Sequence, residues 1–268
     1  MRKSCRCLGL VLLTSLAASA HAEQPLLSLS FAASDGALDP AQFEIITGTG
    51  APDLPGWGNR ELETYRADPA NLFVRDGKLH IVARLADKAA QGPSQATSAR
   101  IMTRPGVLPQ YGAYEIRARL PCGRGYWPAI WMLGEKGAWP ARGEIDIVEW
   151  SGRYFNENEL QSALHAPAYF AANAKVARRA VRAACGATHT YQLLWAPDRI
   201  GFGVDGDPLH PTVLFRKPKD ARAEDWPFDQ AFQLIFNVAV GGDLGGDPDP
   251  RHPTAEMVVE WVRVWALK

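Results

Sequence analysis

Three carboxylates lie within six residues in Gly143-Glu144-Ile145-Asp146-Ile147-Val148-Glu149-Trp150. The residues between them are β-branched, the type that favours strands. Side chains two apart on a strand share a face, so Glu144 and Asp146 point one way while Ile145 and Ile147 point the other. Regular alternation would turn Glu149 toward the apolar side, where an unpaired charge is costly. One extra residue between Asp146 and Glu149, read here as Val148, makes a β-bulge that returns Glu149 to the acidic face. An amphipathic strand with a solvated acidic face competes with this reading, and the surrounding chain has to decide between them.

Two carboxylates of unequal acidity suit glycoside hydrolysis, in which one is nucleophile or base and the other protonates the leaving oxygen. Glu144 and Glu149 would be about 13 Å apart at Cα, four strand steps at about 3.3 Å each, and side chains leaning together on a curved face close much of that gap. Asp146 between them disfavours a further ionised acid, which helps Glu149 keep a proton to donate. Other chemistries have less support. The mature chain has no His pair at helical ligand spacing and no paired-Cys motif for a metal. It also lacks a G-x-S-x-G elbow and a phosphate-cradling Gly-rich loop with Lys.

The acid row needs a scaffold of strands, and the chain supplies one. Runs at 78–84, 112–120, 191–195, 200–204, 232–240 and 257–266 are strand-like and separated by turn residues such as Asp76-Gly77 and Asp205-Gly206. Many short strands without helical patterns predict an all-β protein, a β-sandwich or jelly roll. Residues 168–184 are Ala- and Arg-rich without Gly or Pro, and read as a short helix or ordered loop with a solvated basic surface. Nine tryptophans offer flat apolar rings to sugar faces or to the core. Trp127 and Trp131 share a face if they lie on a strand. Lys+Arg and Asp+Glu are both 29, so the charge balance gives no support for a nucleic-acid partner.

Residues 1–22 read as a signal peptide. They have a basic start, an apolar run from Leu8 to Leu16 too short to span a membrane, and a small-x-small site at Ala20-His21-Ala22. The expectation is an exported, soluble, monomeric protein, periplasmic or secreted, with residues 23–268 as one domain. Cys122 and Cys185 remain after cleavage, either as one disulfide or as two free thiols.

With these residues in view, the chain resembles glycoside hydrolase family 16. Residues 143–149 resemble its bulged E-x-D-x-x-E signature, and Gly58-Asn59-Arg60-Glu61-Leu62 its GN-x-E-L segment. Thr97 to Ile101, Tyr111 to Pro121, Trp127 to Leu133, Asn237 to Gly242 and Val262 to Val264 follow in register. The resemblance implies a curved β-jelly-roll with a concave substrate cleft. It makes Glu144 the nucleophile, Glu149 the general acid/base and Asp146 the assisting acid. It places Asn59, Arg100, Trp131, His165 and Asn237 against the sugar, with Trp127 and Trp226 as further cleft residues. Laminarinase-like members are most similar, which implies a retaining endo-β-glucanase acting on β-1,3 or mixed β-1,3/1,4 glucans. Rival readings on the same scaffold are a transglycosylase, a non-catalytic glucan-binding lectin, and a relative acting on agar, carrageenan or porphyran. No cofactor is expected to be required. The structural calcium that many members carry has an Asp ligand that appears here as Glu260, and no N-terminal acidic ligand stands out around Asp35 and Glu44.

Overall fold

The computed structural model describes residues 24–31, 37–86 and 96–267. The expected signal peptide and Asp35 lie outside them. The described chain is built from β1 (Leu27–Ser30), β2 (Phe43–Ile46), β3 (Glu63–Tyr65), β4 (Leu72–Arg75), β5 (Lys78–Leu85), β6 (Ala96–Ser98), β7 (Arg100–Thr103), β8 (Gly112–Arg119) and β9 (Tyr126–Gly134). It continues with β10 (Glu144–Glu149), β11 (Glu159–His165), β12 (Lys175–Ala180), β13 (Thr188–Ala196), β14 (Arg199–Val204), β15 (Val213–Arg216), β16 (Phe232–Val240) and β17 (Thr254–Trp265). Asp76 and Gly77 both take positive φ between β4 and β5. This is the two-residue turn whose twist matches paired strands.

The strands form two sheets, one of ten strands and one of seven ordered β12-β11-β10-β9-β16-β7-β2. Their facing sides bury one continuous core. Trp195 sits at its centre with ring edges or faces of Tyr111, Tyr114 and Phe232 around it. Every residue of β16 is buried, with β9 and β7 paired along its two edges. This is the jelly-roll sandwich expected, and the other face of the seven-stranded sheet is its concave cleft.

Three local readings are settled or changed. Residues 168–184 are mixed: Ala171–Asn173 form a short 3-10 helix, while β12 (Lys175–Ala180) pairs antiparallel with β11 and forms the sheet's edge. Its Ala-rich composition is overridden by the open hydrogen-bonding edge of β11. Cys122 and Cys185 are bonded, with Cα atoms 5.2 Å apart. Trp226 is in the core, 2% exposed with its ring edge-on to Phe228, so it offers no face to the cleft.

The outer face of the ten-stranded sheet carries ion pairs. Glu260 is held by both Lys78 (2.7 Å) and Arg117 (3.1 Å), and Glu256 by His80 and Arg119, each at 2.8 Å. A groove of about 760 Å³ opens beside them. The Phe73 ring in it is stacked on His80 and covered by Arg75, so neither ring face is free for a ligand.

Candidate active site

The strand β10 carries the acid row and divides its side chains between the two sides of the sheet. Ile145, Ile147 and Val148 are 0–1% exposed and face the core. Two apolar residues in succession break the alternation, and the ladders show how. Asp146 pairs with Ala163 and Glu149 with Gln161 on β11, so three steps on one strand match two on the other. Against β9, the pairing passes from Asp146–Trp131 to Val148–Ile130, so Ile147 rather than Val148 is the residue left out of that ladder. The bulge restores Glu149 to the side of Glu144 and Asp146. The apolar drive to bury both Ile147 and Val148 is therefore what aims the third acid at the cleft.

Each acid has a defined partner. The indole Nε1 of Trp139 donates to Glu144 Oε2 at 2.9 Å. His165, cross-strand neighbour of Glu144, brings Nε2 to 3.0 Å from Asp146 Oδ2 and 3.6 Å from Glu144 Oε1. The backbone N–H of Ala171 donates to His165 Nδ1. That bond leaves Nδ1 as the acceptor and puts the ring proton on Nε2, toward the acids. Glu149 accepts from Trp127 Nε1 through one oxygen and from Gln161 Nε2 through the other, both at 2.9 Å.

Three buried carboxyls this close cannot all be ionised. Burial pushes Glu144 up to about 8. The charge of Asp146 and then that of Glu149 add to the rise, while His165 and the Trp139 N–H oppose it. Asp146 is raised well above the carboxylate range by burial and by Glu149. Burial also raises Glu149, with the Gln161 and Trp127 donors pulling it back. The three acids therefore share fewer than three charges, so the row can hold charge and proton on neighbouring carboxyls.

On the other side of β10 a hydrogen-bonded wall crosses β9, β16 and β7. Trp131 Nε1 donates to Asn237 Oδ1 (2.7 Å), Asn237 Nδ2 to the Tyr65 hydroxyl (3.0 Å), and that hydroxyl to Glu61 (3.1 Å). Glu61 also accepts from Asn59 Nδ2 at 3.0 Å. Arg100 lies between two indoles, its guanidinium carbon 4.7 Å from the Trp57 ring centre and 4.8 Å from that of Trp131. The buried donors Arg100 Nε and Trp57 Nε1 have no protein partner. A buried unpaired donor is costly, and a sugar hydroxyl in the cleft would satisfy it. Trp127 and His165 thus touch the acids directly, Trp131 pairs beside Asp146, and Asn237, Asn59 and Arg100 are linked to Trp131 along the wall.

The family assignment rests on sequence over most of the chain. The sequence pattern described as Glycosyl hydrolases family 16 matches residues 71–263. The chain belongs to glycosyl hydrolase family 16. A beta-glucanase of Rhodothermus marinus is 40% identical over 242 residues, which is 86% of this chain and 81% of that one. The crystal structure of a laminarinase from Flavobacterium sp. UMI-01 superposes with a TM-score of 0.80 at 31% identity, covering 91% of this chain and all of that one. The catalytic domain of an endo-1,3-beta-glucanase (laminarinase) from Thermotoga petrophila RKU-1 gives a TM-score of 0.77 at 35% identity, over 91% and 98% of the two chains.

Within this family 16 chain, several residues around the site escape a reading of the sequence alone. Gln161 is four residues before His165, an even strand spacing that puts both on the cleft face; that spacing is the signal that would have found it. Tyr65 and Trp57 carry no such mark, because their contacts depend on how β3 and the 55–58 turn meet β16 and β7. Glu144, Asp146 and His165 offer atoms within 4.8 Å of one another, a spacing a cation could use, and Asp146 Oδ2 is buried without a hydrogen-bond partner. Among the described residues, the acids considered for a structural calcium are already engaged. Glu260 is neutralised by Lys78 and Arg117, and Glu44 faces Arg104 at 3.9 Å.

Proposed function

We propose that this protein is an exported, retaining endo-β-glucanase that hydrolyses internal β-1,3 bonds of glucans, with mixed β-1,3/1,4 glucans as a second substrate. The observation that carries the reading is the bulge on β10, which presents Glu144, Asp146 and Glu149 on one face beside an aromatic, hydrogen-bonded wall. Glu144 attacks the anomeric carbon, and the bond to the leaving sugar breaks as Glu149 gives its proton to the leaving oxygen. Water then attacks the same carbon, Glu149 takes the water's proton, and Glu144 departs as a carboxylate. Forming the ester removes Glu144's charge from the row. Glu149 then ionises more easily and becomes a base for the second step. Asp146, with His165 beside it, takes up or releases the proton that keeps the row's charge small. These steps are all carried by the chain's own groups.

The linkage preference follows the laminarinases among its relatives. Export is supported by the leader-like residues 1–22 and by the Cys122–Cys185 bond, which persists in oxidising compartments.

Glu144→Ala should abolish laminarin hydrolysis and leave the fold and glucan binding intact; activity surviving the change refutes the assignment. Products from laminarin, lichenan, agarose and carrageenan, resolved by size, linkage and first-formed anomer, separate this reading from a transglycosylase, which lengthens chains, and from a lectin, which cuts nothing.

A further inference from the structure

Large apolar side chains exposed on the described surface are few, and three of them lie on the β11–β12 side of the acids. Trp139 is 45% exposed, Phe170 40% and Val176 45%. The Phe170 and Trp139 rings meet edge to face with centres 5.4 Å apart, and His165 lies 6.2 Å from Trp139. Val176 pairs across β12–β11 with Ala163, which in turn pairs with Asp146. Directly opposed residues in an antiparallel sheet share a face. Val176 is therefore on the cleft side, in the cross-strand row of Asp146, about 10 Å from it at two strand spacings. Edge strands normally show charge to water to prevent pairing with other chains. Lys175, Arg178 and Arg179 supply that charge on β12, and Val176 among them runs against the rule. An exposed apolar patch continuous with a site marks a binding surface.

The two halves of the cleft differ in chemistry. Asn59, Arg100, Trp131 and Asn237, with their directional hydrogen bonds, all lie on the β9–β16–β7 side of the acids. Such contacts suit the sugar that must be held while its ring distorts. The β11–β12 side sets the apolar surface of Trp139, Phe170 and Val176 beside Arg178, which shares Val176's face but turns its guanidinium over Phe155. That apolar surface matches the carbon–hydrogen face of a pyranose ring without fixing its hydroxyls. We infer that Phe170 and Val176, beside Trp139, seat the sugar ring on the leaving-group side of the scissile bond, and that Phe170 sets how firmly that ring is held. The inference rests on the retaining glucanase reading and extends it to acceptors. A glucan docked in this seat can attack the anomeric carbon through its hydroxyl oxygen, passing its proton to Glu149 as the bond to Glu144 breaks.

The test uses two donors on the full protein. β-Laminaribiosyl fluoride has a single atom in place of the leaving sugar and does not occupy the seat; laminarihexaose does. Phe170→Ala should hydrolyse the fluoride with wild-type kcat/KM. It should lose about three- to tenfold in kcat/KM on the hexaose, the scale of one aromatic contact. Transfer from the fluoride to added laminaribiose should fall by a similar factor, and Phe170→Trp should restore both. Equal loss on both donors would show a structural defect and overturn the seat, as would no loss on either. A wild-type protein inactive on both donors refutes the glucanase reading itself, an outcome distinct from either of these.

Discussion

Replacing Glu144 by Gln should remove activity and make the protein more stable, by an amount that grows with pH. The carboxyl moves from its ordinary 4.5 in the unfolded chain to about 8 in the cleft, chiefly through burial. A group raised in this way favours the folded state fully below pH 4.5, and the advantage is lost as pH climbs through about 8. At 1.36 kcal/mol per pH unit the full difference is about 5 kcal/mol. Glu144's side chain is 17% exposed in a cleft open to water, and solvent screening reduces the figure. We expect about 2 kcal/mol. Glutamine keeps the shape and still accepts from Trp139, but it never ionises. Thermal unfolding followed by circular dichroism should give similar Tm values for the two proteins at pH 5. At pH 9 the variant should lead by about 4–8 °C for a chain of this size. A variant no more stable than wild type at pH 9, or a gain that does not change with pH, would refute the argument that the cleft holds Glu144 against its solvation.

Asp146→Asn removes the largest neighbouring charge acting on Glu144. The acidic limb of the kcat/KM profile should therefore move to lower pH while kcat falls, which a pH–rate series on laminarin reads directly. Arg100→Lys exchanges a planar group between two indoles for a compact ammonium. KM for laminarioligosaccharides should rise about tenfold with a smaller change in kcat, since cation–π stacking favours Arg. Reducing the Cys122–Cys185 bond, which closes a separation of 63 residues, should cost up to about 4 kcal/mol by loop entropy. Denaturant midpoints with and without reductant check this.

The acid row was legible because strand alternation and its one interruption are local facts. Ile147 and Val148 in succession announce a bulge, and the bulge fixes where Glu149 points. The long apolar run at 232–240 was legible as a central strand for a similar reason. The wall around Trp131 was less so. Tyr65 and Trp57 reach the cleft through contacts between segments far apart in the chain, which no local pattern encodes. Residues 168–184 were legible only in part, since 171–173 form a short helix while 175–180 are strand. Alanine and arginine favour helix when nothing else intervenes, but an unpaired strand edge next to them decided otherwise. Trp226 was expected in the cleft by resemblance, yet an indole is as useful in a core as in a cleft, and its ring packs edge-on to Phe228.

Tyr65 belongs to the ten-stranded sheet and Asn237 to the seven-stranded one, so the bond between them ties the two layers together at the sugar-facing wall. The alignment of the layers is thereby coupled to the aim of Trp131. A substitution remote from the cleft that lets the sheets slide should register first as weaker oligosaccharide binding, at temperatures where the circular dichroism spectrum is still that of the folded protein. Ligand affinity in this protein is in effect a strain gauge for its sandwich.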